Sequence, residues 1–126
     1  MVRILICLSV LLLCAVPVSA ERRVALVIGN SAYTKVAPLR NPQNDANAIA
    51  ISLENLRFEV VRGINLDRRG FVGKIREFAK LAAGADVALF FYAGHGLQVG
   101  GTNYLAPIDA TIADETDLGF EAIELS

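Results

Sequence analysis

The chain is poor in the residues that carry most catalytic and metal chemistry. It has one histidine, two cysteines, one methionine and no tryptophan in 126 residues. Both cysteines, Cys7 and Cys14, lie near the start, so residues 21–126 hold no thiol. That excludes a disulfide framework or a thiolate metal cage for this part of the chain. Charge is balanced as well: 12 Lys and Arg stand against 13 Asp and Glu, a net of -1. Without a basic excess there is no electrostatic footprint for nucleic acid, and none is expected as a partner. A membrane-spanning run is also missing. The longest apolar run, Ile4 to Val16, has 13 residues, where a spanning helix needs about 20.

That nearly unbroken run has another reading. Arg3 gives it a positive start, and Val18-Ser19-Ala20 follows with small residues at the -3 and -1 positions of a cleavage site. This is the layout of a secretory signal peptide over residues 1–20. An uncleaved N-terminal anchor and a lipoprotein signal ending at Cys14 are the alternatives; bulky Leu13 argues against the second. The expected product, residues 21–126, is exported to the periplasm or secreted, has no membrane span, and keeps 13 acids against 11 bases. Its length suits one domain. The hydrophobic share of 54% is raised by the leader, yet the rest is apolar enough for a packed core.

The remainder alternates. Arg23 to Asn30 (RVALVIGN) is the apolar, β-branched pattern of a strand buried on both faces. Asn41-Pro42 reads as an N-cap followed by proline at the first helical position. The helix carries Ala46, Ile49, Leu53 and Leu56 as one stripe. Phe58 to Val61 is a second strand, closed by Gly63. Asp67 caps a second helix with the stripe Phe71, Ile75, Phe78 and Ala82, ending at Gly84. Asp86 to Ala93 is the third strand. The order β-α-β-α-β implies an α/β fold, a parallel sheet with helices on its faces. Leu97 to Val99 and Thr102 to Leu105 then form a hairpin through Gly100-Gly101. From Asp109 on there are six acids and no base, and Leu118 to Leu125 reads as a helix left unfinished at Ser126.

The single histidine stands in "FFYAGHG", at the end of the third strand. In open α/β sheets functional groups gather beyond the carboxyl ends of the strands. Asn30-Ser31, the first helical turn with Asp45, and Gly94-His95-Gly96 should therefore converge. The flanking glycines let the chain turn sharply and free the Gly96 amide to act as an oxyanion donor. The plainer reading makes His95 a hydrogen-bonded turn residue, Asp45 a capping carboxylate at the helix start and Ser31 a turn residue rather than a stand-in nucleophile. A metal site is disfavoured, because one histidine without thiols needs several nearby carboxylates. Gly29-Asn30-Ser31-Ala32 lacks the glycine spacing of a nucleotide-binding loop.

"RVALVIGNSAY", "LRNPQNDANAI" and "FFYAGHG", in this order, resemble the N-terminal (p20-like) half of a caspase-like cysteine peptidase of the bacterial metacaspase or orthocaspase type, over residues 21–126. The resemblance implies a three-layer α/β/α sandwich with a mostly parallel sheet, incomplete at the C-terminus. It implies endopeptidase activity on peptide or protein substrates after Arg or Lys. It makes His95 the catalytic base, the Gly96 N-H part of the oxyanion hole, and Asp45 an acid that binds the basic substrate side chain. It implies no cofactor beyond a calcium dependence for which the sequence offers no site. One element departs from the pattern: the cysteine expected about 50 residues after the histidine lies beyond residue 126. Two readings follow. The chain is a peptidase domain cut before its nucleophile, as the unfinished helix suggests, or it is a non-catalytic binding module whose open sheet edge pairs with a partner's strand.

Overall fold

The structure, a computed structural model, describes residues 19–126. The leader and its alternatives lie outside the described residues.

Three strands form the main sheet: β1 (Arg23–Gly29), β2 (Phe58–Ile64) and β3 (Val87–Ala93). Their order is β2-β1-β3, all parallel, with Arg23 opposite both Phe58 and Val87. The connections are helices α1 (Pro42–Asn55) and α2 (Arg68–Ala82). Because β1 is central, both of its faces need cover, which is why it carries no polar residue between Val24 and Ile28. Ala25 and Val27 pack under Ala46, Ala50 and Leu53 of α1. Leu26 and Ile28 face the other way, toward fully buried Phe71 of α2. The expected α/β/α layering is present.

Glycine permits one close approach. A Cβ on Gly29 would stand 2.5 Å from the Pro42 carbonyl oxygen and 2.6 Å from the Ala46 Cβ. The start of α1 therefore sits directly against the carboxyl end of β1. Asp67 caps α2 as expected, its Oδ1 accepting the Gly70 N-H at 2.7 Å, and Gly84 follows the helix with φ +76°.

Several element ends differ from expectation. Strand β2 runs on through Gly63 to Ile64, where the Leu66 side chain covers the glycine. On α1 the buried positions are Pro42, Ala46, Ala50 and Leu53; Leu56 lies past the helix end and is exposed. Asn41 is the N-cap residue, but its side chain caps nothing. The Ser31 hydroxyl accepts the Gln43 N-H instead, at 3.0 Å.

Beyond β3 the chain builds a second, antiparallel sheet in the order β4-β5-β6. Strands β4 (Gly96–Val99) and β5 (Thr102–Leu105) form the expected hairpin, with Gly100 and Gly101 at φ +57° and +83°, as a two-residue type I′ turn requires. The C-terminal expectation is corrected. The helix foreseen over 118–125 is a single turn, α3 (Leu118–Glu121), followed by strand β6 (Ile123–Leu125) on β5. Glu121 is tied to the Thr111 N-H at 3.0 Å, and Ala122 turns extended. That turn brings β-branched Ile123 onto the Leu26–Phe71 cluster. The acids of this region cap rather than solvate a long helix: Asp114 and Asp117 form a reciprocal capping box. Residues 118–125 therefore form no unfinished helix. Among the described residues, no helix is long and apolar enough to cross a membrane.

Candidate active site

The carboxyl ends of β1 and β3 meet, with the Asn30 N-H donating to the Ala93 carbonyl at 2.9 Å. Fully buried Asn30 ties this end of the sheet together. Its Oδ1 accepts the Leu66 N-H at 2.9 Å, and its Nδ2 donates to the Ala106 carbonyl at 3.2 Å. Asn65, with φ +51°, closes the first loop by accepting the N-H groups of Ser31 and Ala32. Asparagine tolerates that left-handed backbone better than most residues.

His95 is held through its backbone by two tyrosines. Its N-H donates to the Tyr33 hydroxyl at 2.7 Å, and its carbonyl accepts from the Tyr92 hydroxyl at 2.6 Å. The two hydroxyls are 3.0 Å apart. Each has a single proton; with that of Tyr92 on the His95 carbonyl, that of Tyr33 goes to the Ala106 carbonyl, 3.2 Å away. Burial pushes both phenols above their ordinary pKa, so both stay neutral donors. Gly94 makes room for the pair. A Cβ there would lie 2.5 Å from each hydroxyl oxygen.

The imidazole is oriented separately. It leans on the Tyr33 ring at 4.5 Å between centroids, tilted 58°. Its Nε2 lies 2.9 Å from the Ala37 carbonyl oxygen. A carbonyl only accepts, so Nε2 carries the hydrogen and Nδ1 is left with the lone pair. The ring is neither packed in the core nor free to spin. It is half-buried, with Nδ1 as the basic atom.

Gly96 is exposed and opens β4 opposite Leu105. The Ala106 N-H donates to the His95 carbonyl at 3.0 Å. By the alternation of antiparallel ladders, Gly96 and Leu105 then form a non-hydrogen-bonded pair, and the Gly96 N-H is directed away from β5. Asp45 is exposed in the first turn of α1, at the same end of the sheet as His95. Ser31 performs the side-chain capping foreseen for this carboxylate. Ser31 itself is nearly buried and committed to that bond, as a structural rather than a nucleophilic hydroxyl. Among the described residues no three His, Cys, Asp or Glu side chains come together to hold a metal ion.

Sequence reasoning missed the three groups that position His95: Tyr33, Tyr92 and the Ala37 carbonyl. A signal was available for one of them. Tyr92 lies in an otherwise apolar strand, and a buried phenol needs a partner for its hydroxyl.

The chain is similar to known proteins. Over 91 residues, 72% of this chain, it is 33% identical to the mucosa-associated lymphoid tissue lymphoma translocation protein 1 homolog of Mus musculus. Identity and coverage are the same against mucosa-associated lymphoid tissue lymphoma translocation protein 1 of Homo sapiens. The matched segment spans 11% of each of these relatives. The Caspase domain family profile of the C14 peptidases matches residues 22–122, which takes in the parallel sheet, the β4-β5 hairpin, the tyrosine clamp and His95 and ends just before β6. The chain belongs to the caspase domain family.

Proposed function

We propose that this chain supplies the base-bearing part of a cysteine endopeptidase that cleaves after Arg or Lys. The observation that carries the reading is the imidazole, clamped through its backbone and ring so that Nδ1 alone is basic. Residues 21–126 contain no cysteine, so the nucleophile comes from further chain or from a partner. Strand β3 pairs only with β1 among the described residues. A parallel strand added to its free edge would end beside His95, where a thiol is needed.

In this mechanism Nδ1 takes the thiol proton, and the sulfur attacks the scissile carbonyl. The Gly96 N-H donates to the oxygen as charge gathers on it. The carbon-nitrogen bond then breaks, and the imidazolium returns its proton to the leaving amine. A water molecule, deprotonated by the same Nδ1, hydrolyses the thioester and frees the sulfur. Ala37 holds Nε2-H throughout, so the ring does not turn over between steps. Asp45 attracts the substrate guanidinium or ammonium; its carboxylate is free of helix capping, which supports that role. The leader pattern supports export to the periplasm or beyond.

The test is a peptidase assay with Arg, Lys and Asp substrates. Residues 1–126 alone are expected to show no turnover. The product carrying the cysteine is expected to cleave after Arg or Lys, and His95→Ala to lower kcat by about 10²–10⁴-fold. Turnover unaffected by that substitution would remove His95 as the base. Asp45→Asn is expected to lower kcat/KM for Arg substrates by roughly tenfold, about 1.4 kcal/mol. An unchanged Arg preference would leave Asp45 without the pocket role.

A further inference from the structure

A cavity of about 270 Å³ opens beside His95. Its walls are Val36, Leu97, Ala106, Ala110 and Ile112, with the imidazole as the only polar side chain. Its size is near the lower end of small-ligand pockets, about 300 Å³. Three separate segments build it: the loop after β1, the strand that follows His95, and the loop after β5. Part of its floor is a packed cluster of Tyr33, Ala106 and Ala110, which gives the cavity one fixed side.

Chemistry decides which part of a peptide would enter it. In the cleavage described above, the imidazolium must come within hydrogen-bond reach of the leaving nitrogen, roughly 2.6–3.2 Å. The residue contributing that nitrogen carries its side-chain Cβ only two bonds away. A cavity walled by the imidazole itself is therefore placed for the side chain just after the cut bond. Asp45, by contrast, stands on the first turn of α1 and is not among the cavity's lining residues. The two recognition features are separate in position and opposite in character.

Resting on the peptidase reading, we infer that this cavity is a specificity pocket for the residue that follows the cleaved bond, and that it selects an apolar, leucine-like side chain. A charged side chain would lose its hydration against the apolar walls, and the one polar group there, the imidazole, is occupied with the reacting nitrogen. Glycine would leave the cavity unfilled.

The primed-side product of such a cut is a peptide with a free amino terminus, and its binding needs no nucleophile. Leucyl-glycinamide, glycyl-glycinamide and aspartyl-glycinamide are titrated into the full chain while methyl and His95 ring resonances are followed by NMR. Leucyl-glycinamide is expected to shift the Val36, Leu97 and Ile112 methyls and the His95 ring, and to bind about tenfold more tightly than the other two. Val36 is 52% exposed, so Val36→Trp should fold and block the cavity, removing those shifts while Leu26 and Val27 stay in place. Equal binding of the three peptides, or shifts confined to another surface, would overturn the inference. The two readings fail separately. A peptidase that cleaves after Arg with no preference for the next residue sinks the pocket alone; a cysteine-bearing product that selects leucine yet never cleaves sinks the peptidase alone.

Discussion

Position 94 has no room for a side chain. A methyl group there would collide with both tyrosine hydroxyls at 2.5 Å, and neither phenol has room to retreat without giving up its bond to the His95 peptide. Gly94→Ala is expected to destabilise the chain by about 1–3 kcal/mol, the usual cost of overpacking, and to broaden or move the His95 ring resonances. Urea unfolding measures the first and NMR the second. The tyrosines themselves predict a pH dependence. Burial lifts both phenols above their ordinary pKa of 10, Tyr92 the more strongly. The folded chain therefore keeps these protons to higher pH than the unfolded chain does. The stability they contribute is complete below pH 10 and is lost as pH rises beyond it. Tyr92→Phe should be less stable than wild type at pH 8, and the gap should narrow by pH 11.5. His95 was legible in the sequence because a lone imidazole between glycines, at the end of an apolar strand, occupies a known kind of address. Its clamp was not. Nothing in the order of residues says that Tyr33 and Tyr92, 59 positions apart, hold the backbone of one residue from its two sides.

At the level of elements, the strands and helices of the β-α-β-α-β unit followed from periodicity, while their ends did not. The apolar run of β1 marked a doubly covered strand because both helices need something to pack on. Helix α1 illustrates the limit. A stripe through Leu56 fits the 3.6-residue period, but the chain leaves the helix at Asn55 and turns through Arg57, with φ +66°, to enter β2. The last element was misread for a tertiary reason. Residues 118–125 have helical spacing, yet Ile123 gains more by lying over Leu26 and Phe71 on an added strand than by ending a helix in solvent. Phe71 joins these parts. It is fully buried, packs on β1 and its ring lies 5.9 Å from that of Tyr92. Phe71→Ala should cost about 3–5 kcal/mol. Because Tyr92 holds the His95 carbonyl, the substitution should also disturb the site, visible as a shifted His95 ring signal in the fraction that remains folded.

Over the whole molecule, cover is uneven. Strand β1 lies between two partners and two helices, whereas among the described residues β3 is paired on one side and only half-buried along most of its length. Hydrogen exchange should follow that difference: β1 amides exchange slowest, and alternate β3 amides, those facing the free edge, exchange fast. Uniform protection along β3 would mean that its edge is already covered in solution. The free edge and the oriented imidazole lie at one end of the sheet, and this juxtaposition underlies the whole account: a base held ready, beside the place where a strand bearing a thiol would dock. Its most direct test is the tautomer of His95, read from the ring nitrogen chemical shifts of the full chain by long-range proton-nitrogen correlation. The account predicts hydrogen on Nε2, toward Ala37, and a bare Nδ1; a neutral ring with its hydrogen on Nδ1 would contradict it.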